Sequence, residues 1–593
     1  MKEYTPDHIR NVALIGHGGS GKTSLAEAML FSAGATNRFG RVEEGNTLSD
    51  YHPDEVERQI SINTSLLFCE WKGNKINILD TPGYSDFTGE VKSALRVADT
   101  AFVLVKAVEG IEVGTEIVGK YTNEFRTGVV FVVNKLDNEN SDFERVVQQC
   151  HDYVSHEVEV IQFPLNQGLG FDTVVDVILM KALKYQQGSN GKYTEVEIPA
   201  EAKEKAGNYR RQLLDAIAEL DEDLMNKYFE AGTLSDEDIK KGLHRGIHER
   251  SLFPILCCSA TLNVGVTDIM DFIVDDCPSP PEIGDTHARP VSVSDAKEEV
   301  IVHPDANAEP SLFVFKTVSE AHVGELSFFR VYSGTVMPGL DMVNDANGKP
   351  ERLAQLYLMN GKERKETTKL MAGDIGAAVK LKDTHTNDTL SSRSFGVVYA
   401  PIVFPEPVFH AAIIPKSKGD EDRIANGLHS LHQEDPTFVF RVDPEVHQTI
   451  ISGQGELHLQ VVVKRLKQKF NVDVDLVEPK VAYRETIKAI AKDAEHKHKK
   501  QSGGHGQYGH VHLRLEPLKR GQGFEFLDEI VGGVVPGKFI PAVEKGIAES
   551  MKEGVLAGYP VVDVRVALHY GSYHDVDSSE MAFKIAGSQA FKK

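Results

Sequence analysis

The eight residues "GHGGSGKT", Gly16–Thr23, constrain this chain more than any other stretch, because an apolar run, "VALI", precedes them and a helix-like run beginning "SLAEAML" follows. The pattern GxxxxGK[ST] in that setting requires a strand, a loop and a helix in immediate succession. Backbone N–H groups of Gly16, His17, Gly18, Gly19, Ser20 and Gly21 then point inward around phosphates. Lys22 neutralises the β and γ oxygens, and the Thr23 hydroxyl ligates Mg2+. A glycine-rich turn without a ligand would satisfy the composition alone; the flanking elements argue against it. The chain therefore begins with an α/β domain. Up to about residue 280, "VALIG", "INILD", "AFVLVKAV" and "GVVFVVNKLD" read as buried parallel strands alternating with helical patterns.

Further segments specify the ligand. In "DTPGYSDF", Asp80–Phe87, an Asp ends the alternating strand "KINILD" and Pro-Gly follows. Asp80 can hold Mg2+ from its outer coordination sphere, and the Gly83 amide can reach a terminal phosphate. Tyr84 comes next, where a water-positioning group is wanted. "NKLD", Asn134–Asp137, follows another buried strand and reads as a guanine site containing Asn134, Lys135 and Asp137. A carboxylate such as Asp137 accepts from both the ring N–H and the exocyclic amine of guanine, a pair adenine does not offer. "CCSAT" sets Ser259 and Ala260 after the last strand, where a backbone N–H can meet the guanine carbonyl. Alone "NKLD" is an ordinary turn; its order after the phosphate loop and "DTPG" favours guanine. The polar stretch "LSDYHPDEVERQISINTS", Leu48–Ser65, shows no clean helical periodicity. Its Ser61 hydroxyl could complete the magnesium shell when a γ-phosphate is bound, a solvated loop with incidental serines being the alternative.

At 593 residues the chain exceeds one core. About four domains are expected. A formal charge of −23 argues against a protein that coats nucleic acid nonspecifically, so DNA is not an expected partner. Five cysteines without a CxxC pair fit a reducing compartment. No long apolar leader region or membrane-length apolar run occurs, so a cytoplasmic protein without a membrane partner is expected, working as a monomer.

Between Asn138 and Leu256 the strand pattern loosens, and "EAKEKAGNYRRQLLDAIAELDEDLMNKYFEAG" reads as charged amphipathic helix, an insertion before the last strand of the domain. From Ser311 to about Leu390, short strands and Gly-rich turns suggest a β-barrel. From "FPEPVFHAAIIP" to "VDVDLVEP" the order strand, helix, two strands, helix, strand is the split βαβ arrangement. A fourth domain mixing strands, glycine loops and helices begins near Tyr483. It holds a His-rich stretch, His496, His498, His505, His510 and His512, with His510 and His512 on one strand face. A metal site there is disfavoured because no Cys or paired carboxylate accompanies the histidines and Lys497, Lys499 and Lys500 would repel a cation. RNA contact, with Lys and His meeting phosphates, is the rival reading.

Together, "GHGGSGKT", "DTPGYSDF", "NKLD", "FFRVYSGTV", "GQGELHL", "QSGGHGQYGHV" and "GSYHDVDSSEMAFK" resemble the translational GTPases, and the later domains narrow the resemblance to the elongation factor G family. It covers nearly the whole chain. It implies a multidomain α/β and β architecture: a P-loop GTPase domain over 1–290 with an inserted subdomain at about 160–255, and a β-barrel over 291–400. A ferredoxin-like α+β domain over 401–480 and a fourth α+β domain over 481–593 complete it, with the family's fifth domain expected to be absent from this chain. It also implies GTP/GDP and Mg2+ as ligands and catalytic roles for Lys22, Gly83 and the residue at Tyr84. The implied partner is the ribosome, its RNA and the tRNA–mRNA at the decoding region. Lys499, Lys500, His505, Gln507 and His574 lie in the loops that resemble the tip entering that region, His574 at the apex.

Two departures stand out. The family motif reads Asp-Thr-Pro-Gly-His where this chain has Tyr84, and Arg-Gly-Ile-Thr where it has "RQIS", Arg58–Ser61. They resemble the elongation-factor-G-like paralogue that some bacteria carry. A phenol can hydrogen-bond water but does not become a cation, so slowed hydrolysis is expected rather than none. The implied activity is GTP hydrolysis driving tRNA–mRNA movement, slow without ribosomes. A hydrolysis-impaired GTP-binding regulator and a ribosomal-protection factor remain as alternatives.

Overall fold

The apolar runs form one seven-stranded sheet. In the computed structural model, which describes residues 2–154, 158–291, 299–320, 324–417, 419–501 and 506–593, its order from edge to edge is Ser65–Trp71, Asn74–Asp80, Ile9–Gly16, Thr100–Lys106, Gly128–Asn134, Phe253–Cys257 and Val158–Val160. Only the first pair is antiparallel. Every residue of Ile9–Gly16, Asn74–Asp80 and Gly128–Asn134 is buried, which is why these strands read as near-continuous apolar runs. The parallel register brings Gly16, Asp80 and Asn134 to one edge of the sheet, the end where α/β proteins bind ligands.

The insertion is richer than its sequence reading. It opens with an antiparallel four-stranded sheet, Gln162–Pro164, Thr173–Asp176, Lys181–Tyr185 and Tyr193–Val196, before any helix. The single helical run expected from Glu201 onward is two helices, Ala200–Glu219 and Glu222–Ala231. The break falls at Asp221, whose carboxylate accepts from the Asp223 amide and caps the second helix. A third helix, Asp236–Glu249, leads to the strand Phe253–Cys257.

The chain separates into two compact units, residues 1–441 with 449–477, and residues 442–448 with 478–593. Within the first unit an eight-stranded antiparallel sheet curls around Leu312, Val314, Phe329, Val331, Leu353 and Leu356 to make the barrel. The strand Thr286–Pro290 pairs with Val397–Tyr399. A buried polar seam joins barrel to GTPase sheet. Lys75 Nζ meets Asp374 Oδ1 at 2.6 Å, and Asn77 donates to the same oxygen at 3.0 Å. Asn11 bridges Gly373 and Asp99, and Asp99 pairs with Arg330 at 2.7 Å. Next, Phe409–Pro415 pairs with Gln448–Gly453 and Val474–Val477, with helices Glu421–Glu434 and Glu456–Phe470 packed on them through Leu428, Leu459 and Leu466.

In the second unit, Ala491–Lys500, Gln507–Pro517, Val564–Ser572 and Phe524–Asp528 form one sheet in that order. Its inner face, with Val511, Leu513, Leu515 and Val566, is covered by helices Ile540–Glu553 and Glu580–Lys592. The outer face carries His510, His512 and Arg514, alternating with the buried residues.

Removing one partner of a buried ion pair strands the other charge. Asp374→Ala is expected to cost about 3–5 kcal/mol, read as a lowered midpoint of thermal unfolding. A midpoint unchanged from wild type would show that the seam does not hold the barrel.

Candidate active site

The strand Ile9–Gly16 passes into the helix Lys22–Ser32 through a loop that needs glycine. Gly21 sits at φ 95°, and a Cβ there would come within 2.3 Å of the Asn134 amide nitrogen. Lys22 is buried, and its Nζ donates to the Gly16 and His17 carbonyls, each at 3.0 Å. Burial pushes the Lys22 ammonium down to about 8, against the opposing pull of Asp80 and Asp50. A phosphate arriving at this lysine would favour the charged form. A Cβ on Gly83 would meet Lys22 Nζ at 2.5 Å, so any larger residue at 83 pushes the lysine out of the loop. The His17 ring turns outward, with Nδ1 accepting from the Gly114 amide at 3.2 Å, so only its main chain faces the phosphate space.

At the metal end, Thr23 Oγ1 donates to Asp80 Oδ2 at 2.7 Å and lies 3.1 Å from Ser61 Oγ. The three residues named for the metal are thus brought together. Two that sequence reasoning passed over complete the group. Ser49 Oγ donates to Asp80 Oδ2 at 2.6 Å, and Asp50 is buried beside it. Both oxygens of Asp50 and Oδ1 of Asp80 are buried without a hydrogen bond among the described residues. Burial, then the charges of Glu55 and Asp80, raise the Asp50 carboxyl to about 8; burial raises Asp80 as well. Orphaned carboxylate oxygens beside two hydroxyls are acceptors a hard divalent cation would satisfy, so these residues fit Mg2+. The only sequence signal was an acid beside a hydroxyl, "SD", in a stretch read as loop. That stretch holds a short helix, Pro53–Arg58, whose Glu55 accepts from the amides of His52, Ile62 and Asn63.

At the base end the motif residues bond to one another. Asn134 is a brace between loops: its Nδ2 donates to the Ser20 carbonyl at 2.8 Å, and its Oδ1 accepts from Lys135 N and Ala260 N. The Ala260 amide bonds Asn134, and the Ser259 amide donates to the Val264 carbonyl, so both help hold this loop. Lys135 lines the cavity, and Asp137 keeps a buried oxygen, Oδ1, without a partner among the described residues. Gly18, Lys22, Thr23, Asp50, Ser61, Gly83, Tyr84 and Lys135 border one cavity of about 260 Å³. A larger one, about 660 Å³, lies by Arg96, Phe125 and Tyr332 and includes none of the nucleotide-motif residues.

Tyr84 stands over the loop, its ring 3.6 Å from where a Gly18 Cβ would be, and is 45% exposed. Its neighbours in sequence are tied elsewhere. Asp86 accepts from the His458 amide at 3.2 Å, and Phe87 packs with Ile62 and Val461. Glu90 pairs with Lys316 of the barrel at 2.5 Å, while Asp54 pairs with Arg465 at 3.0 Å. Both segments flanking the phosphate site are thus bonded to the barrel or the third domain.

In the second unit, Lys499, Lys500 and Gln507 lie at the end of a strand pair where residues 501–506 link the two strands; His505 is outside the described residues. His574 is exposed, and its Nδ1 accepts from the Asp577 amide. Asp577 also accepts from the Gly506 amide at 3.0 Å, so it ties the loop of His574 to that of Gln507.

Four family models match consecutive stretches of the chain. Elongation factor Tu GTP binding domain covers residues 7–279, Elongation factor G domain 2 covers 309–393, Elongation Factor G domain III covers 404–478, and Elongation factor G domain IV covers 479–593. A Thermus thermophilus protein of known crystal structure is 36% identical, with a TM-score of 0.80, over 99% of this chain and 84% of its own. No helix among the described residues is long and apolar enough to cross a membrane. With its phosphate loop, its two flanking switch segments and these matches in unbroken order, the chain belongs to the elongation factor G family of translational GTPases, which bind guanine nucleotide.

Proposed function

We propose that this GTPase hydrolyses GTP to GDP and phosphate on the ribosome and uses the step to drive translocation-type movement of tRNA and mRNA, as the family's paralogue with tyrosine in switch II. The observation that carries the reading is the wiring of both switch segments: Asp54 to Arg465 and Asp86 to His458 in the third domain, Glu90 to Lys316 in the barrel. Segments that order around a γ-phosphate and relax after its loss change those contacts, and hydrolysis becomes movement. Mg2+, held by Thr23 and Ser61 with Asp80 behind them, would supply positive charge to the β and γ oxygens. Lys22 supports the same oxygens, the Gly83 amide faces the terminal phosphate, and Tyr84 positions the attacking water. Asp137 selects guanine. Lys499, Lys500, Gln507 and His574 meet RNA at the decoding region. The protein works in the cytoplasm as a monomer.

A second reading, a GTP-binding ribosome regulator with weak hydrolysis, is favoured by Tyr84 itself, whose half-exposed ring replaces an ionisable imidazole. GTP turnover with and without ribosomes separates the two. Tyr84→Phe is expected to slow ribosome-stimulated turnover roughly ten- to a hundredfold, the worth of one hydrogen bond to a group gaining charge. Tyr84→His should match or exceed wild type, with GTP affinity unchanged in both. A Phe variant as fast as wild type would remove the phenol from the chemistry.

Asp137→Asn should weaken GTP binding by about 2–4 kcal/mol and shift preference toward xanthine nucleotides, measured by competition. Equal wild-type affinity for GTP and ATP would refute the guanine assignment. Charge reversal of Lys499 and Lys500, or His574→Ala, should lower translocation while GTP hydrolysis persists; a proportional loss of both would move the tip assignment elsewhere.

A further inference from the structure

The outer face of the second unit's sheet holds a cluster that neither the GTPase chemistry nor the tip assignment uses. Strand register places Glu495 of Ala491–Lys500 opposite His512 of Gln507–Pro517, with His510 two residues along on the same face. One ligand atom each from Glu495, His510 and His512 lie within 4.8 Å of one another. The carboxylates missing from the sequence reading of this His-rich stretch are therefore present, supplied by the facing strand.

The surroundings orient the imidazoles as metal ligands require. His512 Nδ1 is 2.8 Å from Asp493 Oδ1, and His510 Nδ1 is 2.8 Å from Ser572 Oγ. Holding Nδ1 in this way leaves Nε2 as the coordinating nitrogen, the carboxylate–histidine pattern common behind bound zinc. His510 Nε2 already lies 2.9 Å from Glu495 Oε1. His510 and His512 are mostly buried, whereas Glu495 is exposed and free to rotate inward. Bonds of about 2.0–2.1 Å in tetrahedral geometry require ligand atoms about 3.3 Å apart, so binding would draw the three groups inward from their present spacing of up to 4.8 Å.

Nearby cations do not oppose a metal as their sequence positions suggest. Lys497, the register partner of His510, has its ammonium 5.4 Å from the Tyr508 ring centre. Arg514, next along the face, is bonded to Glu516 and Glu529, and Lys593 Nζ is held by the Glu495 main-chain carbonyl. Two imidazoles and a carboxylate suit a borderline divalent ion better than Mg2+ or Ca2+. The geometry points to a Zn2+ site formed by Glu495, His510 and His512, oriented by Asp493 and Ser572. It crosslinks the two strands whose linked end carries Lys499, Lys500 and Gln507. Three protein ligands leave a fourth position for water or an RNA oxygen.

The test is calorimetric titration of untagged, chelator-stripped full-length protein with Zn2+ in excess Mg2+, paired with Co2+ substitution followed by visible absorption. One ion per chain is expected, with a dissociation constant of about 1 μM or below. Co2+ should give the intense bands of a four-coordinate site. Glu495→Gln, a conservative change at an exposed position, and His510→Gln/His512→Gln should abolish both signals while far-UV circular dichroism and GTP binding stay as in wild type. Asp493→Asn should weaken zinc about 10- to 100-fold, as loss of an orienting carboxylate does. The site is refuted by the absence of stoichiometric zinc binding, or by binding that survives in the folded double-histidine variant. Titration of His510 against Glu495 as a simple ion pair, with no metal bound, would have the same meaning.

Discussion

Four buried carboxylates surround the phosphate loop, and the arrangement of the first domain follows from how each is satisfied. Glu55 accepts from the amides of His52, Ile62 and Asn63, Glu27 from Leu48 and Ser49, and Asp80 from two hydroxyls. Among the described residues Asp50 has no such bond. Buried acids of like charge repel and lose solvation, so each needs donors or a proton. Apart from the Thr23 hydroxyl, the donors come from the polar segment 48–63 itself, which folds over the loop because its amides have these acids to bond. Asp50 is where the shell stays open, and burial with neighbouring charge raises its carboxyl to about 8. Positive charge brought to that point completes the shell. The switch thus closes from the inside, through electrostatics, before any contact with other domains is considered.

The two departures in the switch motifs act on different terms. Gln59 occupies the left-handed region, φ 55° and ψ 38°, where the related motif has glycine. A non-glycine residue there costs roughly 1–2 kcal/mol. A hydrogen bond from its amide to the Glu43 carbonyl, at 3.0 Å, offsets part of that. Ser61 keeps the hydroxyl and gives up only a methyl group, and its Oγ still reaches Thr23. Backbone shape and the hydroxyl beside Thr23 therefore survive, and the departure that alters the side-chain chemistry at the phosphate cavity is Tyr84.

Strands and loops were legible where one residue type has one physical use. Gly21 and Gly83 reveal themselves because a side chain would strike Asn134 or Lys22, and the parallel strands because both their faces are buried. Residues with two uses were only partly legible. Asn134, Ser259 and Ala260 sit in guanine-site motifs, but their polar groups are spent on one another and on Ser20 and Val264. Asp221 broke a helix that periodicity ran straight through, because a cap is a single residue's contribution and leaves the apolar spacing intact. Glu495 and Asp493 were invisible as partners of His510 and His512, since strand register is set by the whole sheet and not by neighbours in sequence.

The barrel and the third domain are attached to the GTPase core in physically different ways. The barrel meets the core strands and their connecting loop through Lys75–Asp374, Asn11–Gly373 and Asp99–Arg330, all buried and outside the switch segments. Such pairs are costly to break one partner at a time, which holds the joint in one geometry whatever occupies the phosphate loop. The third domain instead bonds to Asp54, Asn63 and Asp86, residues of the switch segments themselves. Their position depends on the acid shell around Asp80 and Asp50. Loss of order in that shell removes the anchors of Arg465 and His458 and leaves the barrel seam whole, apart from Lys316 and Glu90. The two attachments therefore differ in what they depend on: the barrel's buried pairs lie outside the segments that border the phosphate site, and the third domain's bonds lie on those segments.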